Sequence, residues 1–450
     1  MSAGFNPVVL SAQISEVPEE LKSSSKPKPI PLSRAQMAVP SQSATQNSGG
    51  QVLFQLNSSN GFIKPGSVML KCRVTIVSAG NTTDNTIVAW ANACRNSSAI
   101  IDRFTVSSGA VLESINNYGS AYVPTLLLHC ANQPYTQNDD ALLEGAKRPT
   151  AGANGSTSVA TNGWRDVATG TAFNTVNTYV DVCIPLYSNL FQNEHGFPLC
   201  LLAQNTMIQL DLAQFGKAFF ISAGGNGVAT DFQVSNAFLV YDLIQPSPEY
   251  IMALKDQMRQ GMLYQIPFVS ALGSQFAKQG ASTTVNWGVG VSSLKGVTYS
   301  TLVAPATITD AKYLTSDNAV NGAGCNFRLF VDGQQSSSII QDTSPSRYAC
   351  MSNVFGLIGD VNRSTSAGGE AIAYGTTAYT VSPVTYEANY FVGGASTSKT
   401  NGQLALTGTQ CNNLSFIVET SATASTVIYA NCWHDRIMIV DANGTASIVI

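Results

Sequence analysis

The sequence predicts an all-β protein: two tandem β-sandwiches joined by one short linking helix. Three observations carry that expectation. Period-two alternation of apolar and polar residues runs through much of the chain from Gln51 onward, and a single strongly capped helical stretch falls near the middle. Matching strand landmarks recur roughly two hundred residues apart, one set on each side of that helix. Such a spacing is too long for a solenoid repeat and suits a duplicated domain. At 450 residues the chain also exceeds one ordinary core.

In chain order, residues 1–48 read as a separate N-terminal arm. Lys22 to Arg34 and Ser41 to Gly50 are rich in proline, serine and basic residues, which cannot build a core. The arm is expected to be disordered, or to become ordered against a neighbour in an assembly. Residues 49–245 form the first sandwich. Val52, Phe54 and Leu56 alternate with polar residues. After a turn at Lys64-Pro65-Gly66, Val68, Leu70, Cys72, Val74 and Ile76 mark one face of a long strand. A strand at Ile101 to Ser107 turns at Ser108-Gly109 and returns at Val111-Leu112, and Asn116 to Leu128 looks like a short helix or irregular crossing. After a Gly/Ser/Asn-rich loop at Thr150 to Gly170, strands follow at Tyr179 to Leu186, Met207 to Leu212 and Phe232 to Ile244.

Residues 246–262 are the linking helix. Ser247 caps the first turn, Pro248 fits where no N–H is needed, and Glu249 sits at the positive end of the dipole. Ile251, Leu254 and Met258 share one face; Gly261 supplies the stop and Pro267 blocks continuation. Residues 263–450 repeat the plan. Strands are expected at Ser293 to Val303 and Cys325 to Val331, the latter ending in an Asp332-Gly333 turn. A crossing at Tyr348 to Ile358 precedes strands at Thr385 to Val392, Leu414 to Glu419 and Val427 to Val440, closed by the Ala442-Asn443-Gly444 turn.

Nothing in the chain nominates an active site. The three histidines, His129, His195 and His434, have no metal-ligating neighbour at i+2 to i+4, and HExxH, GxSxG and phosphate-loop patterns are absent. Asp139, Asp140 and Glu144 lack the spacing of a calcium loop and read as a solvated loop. Gly224 to Gly227 lies between strands and reads as a turn. Trp164 and Trp287 could stack on sugars, but a sandwich tryptophan is usually buried. The sequence therefore assigns no catalytic, cofactor-binding or metal residue, and predicts no enzyme and no cofactor.

Charged residues make up 11% of the chain, under half of the roughly 25% of a typical domain. Such a surface is solvated by Ser, Thr, Asn and Gly, or covered by other subunits; the second is the expectation. A net charge of -4 and the lack of a basic stripe argue against general or sequence-specific nucleic-acid binding. The start lacks the basic and apolar regions of a secretory signal, and no apolar run reaches the about 20 residues needed to span a bilayer. The nine cysteines, odd in number and without CxxC spacing, read as buried free thiols in a reducing compartment. Sequons such as Asn57-Ser58-Ser59 and Asn81-Thr82-Thr83 are then coincidental.

The landmarks taken together resemble the double jelly-roll major capsid proteins of icosahedral DNA viruses, most closely the polinton-like and adintovirus-type members. In the first half the resemblance rests on Phe62 to Ile76, on Ile100 to Leu128, and on Val182 to Phe191 followed by Met207 to Leu212. The link from Tyr241 to Phe268 is similar to the family's inter-barrel helix leading into a strand with a Pro-Phe. In the second half it rests on Ser292 to Tyr299, Phe327 to Gln334, the crossing Ser346 to Gly359, and Trp433 to Ile450. The order of these pieces across residues 50 to 450 carries the likeness. The loops between strands are modest, so tall towers are not expected.

The resemblance implies two eight-stranded jelly rolls, a homotrimer with a pseudo-hexagonal outline, and tiling of an icosahedral shell in the virion. It also implies neighbouring capsomers and penton or minor capsid proteins as partners, with assembly inside the host cell rather than secretion, and leaves an internal membrane open. Two rival readings stand beside it. One is a trimeric carbohydrate-binding or carbohydrate-active β-sandwich spike, whose enzymes set two carboxylates roughly 5 to 10 Å apart beside aromatics. The other is a single jelly-roll-type capsid protein with an extra domain.

Overall fold

The period-two stripes of the sequence become strands with one buried face. A computed structural model describes residues 31–79, 88–90, 97–129, 179–193, 195–221, 228–303, 326–336, 346, 350, 353–354, 393–397, 408–419 and 426–449. The loops at Thr150 to Gly170 and Gly224 to Gly227, the acidic group at Asp139 to Glu144, Trp164, the strand at Thr385 to Val392 and most of the Tyr348 to Ile358 crossing lie outside the described residues.

The first half contains β1 (Pro31–Pro40), β2 (Thr45–Asn47), β3 (Gln51–Leu56), β4 (Phe62–Ile63), β5 (Met69–Ala79), β6 (Val88–Trp90), β7 (Ile101–Ser108), β8 (Ala110–Asn116), β9 (Tyr179–Pro185), β10 (Thr206–Leu212), β11 (Phe219–Ile221) and β12 (Val228–Pro246). One sheet runs β1-β12-β5-β9, with β2 and β4 also on β12, and the facing sheet runs β3-β10-β7-β8. Val52, Phe54 and Leu56 on one sheet and Leu70, Cys72 and Val74 on the other are buried between them, as their alternation requires.

The second half contains β13 (Tyr264–Ala277), β14 (Ser282–Trp287), β15 (Val291–Val303), β16 (Asn326–Val331), β17 (Gln334–Gln335), β18 (Gly393–Ser396), β19 (Thr409–Cys411), β20 (Leu414–Glu419), β21 (Thr426–Val440) and β22 (Ala446–Val449). Its sheets run β13-β21-β15-β18 and β14-β20-β16-β17. When the eight main strands of each half are numbered in chain order, both halves give the same pair of sheets, 1-8-3-6 and 2-7-4-5. That antiparallel order, with first and last strands adjacent and strands alternating between sheets, is a jelly roll. The second half is therefore a complete jelly roll and not an added domain of another kind, which removes the single jelly-roll reading.

One boundary moves. Residues 31–48 are not a free arm, because β1 pairs antiparallel with β12 from Pro31↔Pro246 to Pro40↔Phe238, and β2 pairs with the same strand. The sequence hid this strand because it lies at a sheet edge. Its prolines fall at the two ends and its side chains are mostly exposed, so it carries only the weak alternation Ala35, Met37, Val39. Residues 1–30 lie outside the described residues.

The linking helix spans Pro248–Arg259, with Ser247 accepting a hydrogen bond from the Tyr250 N–H and Pro at its first turn. Ile251, Leu254 and Met258 are buried, and Gly261 takes the positive φ that ends the helix. The Asp332-Gly333 turn of the second half has both residues at positive φ, as a tight hairpin requires. The six described cysteines are free, and five of them are buried.

Candidate functional site: the seam between the two jelly rolls

No group of three or more His, Cys, Asp or Glu side chains among the described residues could hold a metal ion, and no helix among them is long and apolar enough to cross a membrane. Trp287 meets Phe276 edge to face at 5.5 Å, so it serves the second core rather than a sugar site. The most elaborate constellation of side chains is instead the seam where the first jelly roll meets the second.

The seam begins with the crossing after β8. A π-helical turn, Tyr118–Tyr122, runs directly into an α-helix, Val123–His129. Asn117 enters it at φ 51, and a Cβ on Gly119 would lie 1.9 Å from the Ser98 carbonyl oxygen, so only glycine fits there. This turn aims two tyrosines along one line. Phe104 in the first core stacks on Tyr118 at 5.5 Å, Tyr118 on Tyr122 at 5.6 Å, and Tyr122 on Trp433 of β21 at 5.5 Å. A continuous column of rings thus joins the two jelly rolls. Two of its members are anchored by hydrogen bonds: the Tyr118 hydroxyl donates to the Tyr187 carbonyl at 3.1 Å, and the Trp433 indole N–H donates to Thr298 Oγ1 at 2.9 Å.

Backbone contacts flank the column. The Asn189 and Asn193 side-chain amides donate to the carbonyls of Val269 and Pro267 at 2.5 and 2.6 Å, and the Ala203 N–H donates to the Gly444 carbonyl at 2.9 Å. Asn189 belongs to a short helix, Asn189–Gln192, capped by Ser188. On β13, a Cβ on Gly273 would lie 2.4 Å from the Asn116 carbonyl oxygen, so the absence of a side chain lets the two chains approach.

Charge is placed sparingly here. Glu113 on β8 is fully buried, and one carboxylate oxygen accepts from the Ser188 hydroxyl. Burial pushes its pKa up to about 7, against the opposing pull of Ser188, of the Arg436 charge on β21 and of the Leu190 N–H. His434, also buried, is pushed down to about 4 by desolvation and then by Arg436. Arg436 is itself lowered by burial, and Glu113 opposes that shift. Between His434 and Arg436 on β21, Asp435 pairs with Lys295 at 3.2 Å and accepts from Ser293 Oγ at 2.6 Å, and all three residues are buried.

Sequence reasoning places Ile251, Leu254, Met258 and the crossing correctly, but gives no role to Glu113, Tyr122, Trp433 or His434. A glutamate within an apolar strand segment and a Tyr-Gly-x-x-Tyr turn are the only signals those residues leave in the sequence.

No family model matches the chain, and no characterised protein matches it by sequence. Solved structures do match by shape. The Faustovirus major capsid protein aligns with a TM-score of 0.58 at 10% identity, covering 92% of each chain. A chain of the Sputnik virophage structure aligns at 0.55 and 12% identity, over 96% of this chain and 92% of that one. VP54 of PBCV-1, fitted into a reconstruction of Sputnik, aligns at 0.54 and 11% identity, over 95% and 99%. Two jelly rolls of identical strand order, locked by one seam and matched end to end by these viral structures, make this chain a double jelly-roll protein with the fold of viral major capsid proteins.

Proposed function

We propose that the chain is a major capsid protein that assembles as homotrimers tiling an icosahedral shell in the virion. The observation that carries this reading is the duplicated jelly roll with an internal seam of stacked rings and hydrogen bonds. It fixes one sandwich against its twin and so builds two of six similar blocks of a ring into each chain. Coverage of nearly the whole length of the Faustovirus and Sputnik chains supports it, as does a composition too poor in charge for a fully solvated surface. In this reading the protein's work is geometric and not catalytic. Penton and minor capsid proteins are its further partners, assembly takes place inside the host cell, and the subtype likeness to polinton-like and adintovirus members rests on the sequence alone.

Light scattering of the purified protein at several concentrations should return about three times the chain mass of 47.4 kDa, and electron microscopy should show hexagonal trimers or shells. A stable monomer that forms no particles would overturn the reading. Turnover of glycans by a trimer that forms no shells would favour the rival spike.

A further inference from the structure

Unlike the pairs Lys64 with Asp242 and Lys217 with Asp102, which reach solvent, Lys295 and Asp435 are only 1% and 3% exposed. Two neighbouring strands bring them together. β15 and β21 pair antiparallel, but the register shifts between Leu294↔His434 and Gly296↔Trp433, so Lys295 is the extra residue of a bulge. A bulge takes a side chain out of the regular alternation and re-aims it. Here Nζ of Lys295 comes within 3.2 Å of Asp435 Oδ1.

The second carboxylate oxygen is held as closely. Ser293 Oγ donates to Asp435 Oδ2 at 2.6 Å and itself accepts from the Gly408 N–H at 3.0 Å. With that N–H on its lone pair, the hydroxyl's single proton is committed to Oδ2. The backbone around the group is tied down as well. The Lys295 carbonyl accepts from the Thr397 N–H at 2.9 Å, the Leu294 carbonyl accepts from the Thr397 hydroxyl at 2.6 Å, and a Cβ on Gly408 would lie 2.5 Å from the Ser293 carbonyl carbon. An amine, a carboxyl group and a hydroxyl donor are thus packed together in a buried site. These are the parts of an acyl transfer: a nucleophile held against its acyl carbon, and a fixed donor for the oxygen on which charge develops.

We propose that Lys295 and Asp435 condense to an intramolecular amide, a covalent cross-link between β15 and β21 that the folded chain makes by itself. The ammonium group passes one proton to Oδ1, and the amine so formed attacks Cγ to make the C–N bond. Charge then develops on Oδ2, where the Ser293 hydroxyl meets it. A second proton moves from the nitrogen to Oδ1, the Cγ–Oδ1 bond breaks, water leaves, and Nζ keeps one hydrogen as the amide N–H. Every proton comes from the ammonium group, so the step needs no co-reactant. Burial supplies the driving force, because the reaction replaces two charges that are costly to desolvate with one neutral amide. The inference rests on the packing of the second jelly roll alone and is independent of the capsid reading.

Mass spectrometry of the full chain, purified and then denatured, tests it. The parent protein should be lighter than its sequence by one water molecule, and its protease digest should contain a branched peptide joining the segments around Lys295 and Asp435. Lys295→Met and Asp435→Ala should each keep the full mass of their own sequences. Ser293→Ala should lose water about tenfold more slowly, or slower still, in samples followed over time after synthesis. The branched peptide is read on the parent protein, so the test holds whether or not a variant folds. A parent chain that keeps its full mass after several days of incubation would overturn the proposal, and so would water loss that maps to a peptide without Lys295 or persists in Lys295→Met. Conversion of Ser293→Ala at the parent rate would overturn the part given to Ser293.

Discussion

Glu113 on β8 and His434 on β21 carry opposite proton linkages. Glu113 has a folded pKa of about 7, above the 4.5 of a free carboxyl, so the folded protein keeps a proton that the unfolded chain releases. Its contribution to stability is present below about 4.5 and lost as pH rises toward 7. His434 has a folded pKa of about 4, below 6.5, so it contributes above 6.5 and loses that contribution as pH falls toward 4. Between about 4.5 and 6.5 the two slopes oppose each other, which leaves the pair nearly silent in the parent protein. Glu113→Gln should expose the histidine, with stability falling by about 2 to 3 kcal/mol on acidification across that window, and His434→Gln should show the reverse. Thermal melts of the three proteins at pH 4.5, 5.5 and 6.5 check this; parallel profiles would show that neither group is linked to folding.

At the scale of elements, the linking helix and the crossing after β8 do different jobs. The helix buries Ile251, Leu254 and Met258 and presents Lys255 to solvent. Leu254→Asp should therefore cost several kcal/mol, about 3 to 5, by placing a charge among apolar side chains, whereas Lys255→Ala should change stability by no more than about 0.5 kcal/mol. Denaturant titration of both variants measures it, and equal effects would mean that the buried face does not hold the halves together. The helix was legible in sequence because its signals are local: a cap, a first-turn proline, a 3.6-residue stripe and a glycine stop. The π-turn at Tyr118–Tyr122 was legible only as an irregular crossing, since its shape depends on Gly119 meeting the distant Ser98 carbonyl.

For the whole molecule, the N-terminal boundary has a direct consequence. We propose that residues 1–30 act in assembly rather than in the fold, whereas residues 31–47 supply β1 and β2 to the first sheet. Deleting residues 1–30 should leave the melting temperature within a few degrees of the parent and reduce shell formation seen by electron microscopy. Deleting residues 1–46 removes all of β1 and most of β2, leaves the edge of β12 unpaired, and should lower the melting temperature sharply or yield insoluble protein. A folded, trimeric 1–46 deletion would show that β1 adds nothing to the sheet.

The sequence by itself determined the all-β class, the duplication, the helix with its buried face, and most strand positions, because alternation, caps and turn residues act over a few positions along the chain. Tertiary structure alone decided where β1 belongs, since an exposed edge strand owes its hydrogen bonds to β12, some two hundred residues away. It also decided that Tyr118, Tyr122 and Trp433 form one column and that burial moves the pKa of Glu113 up and that of His434 down. Each of these depends on which surfaces meet after the chain has folded, and period-two patterning records only which face of a strand is apolar.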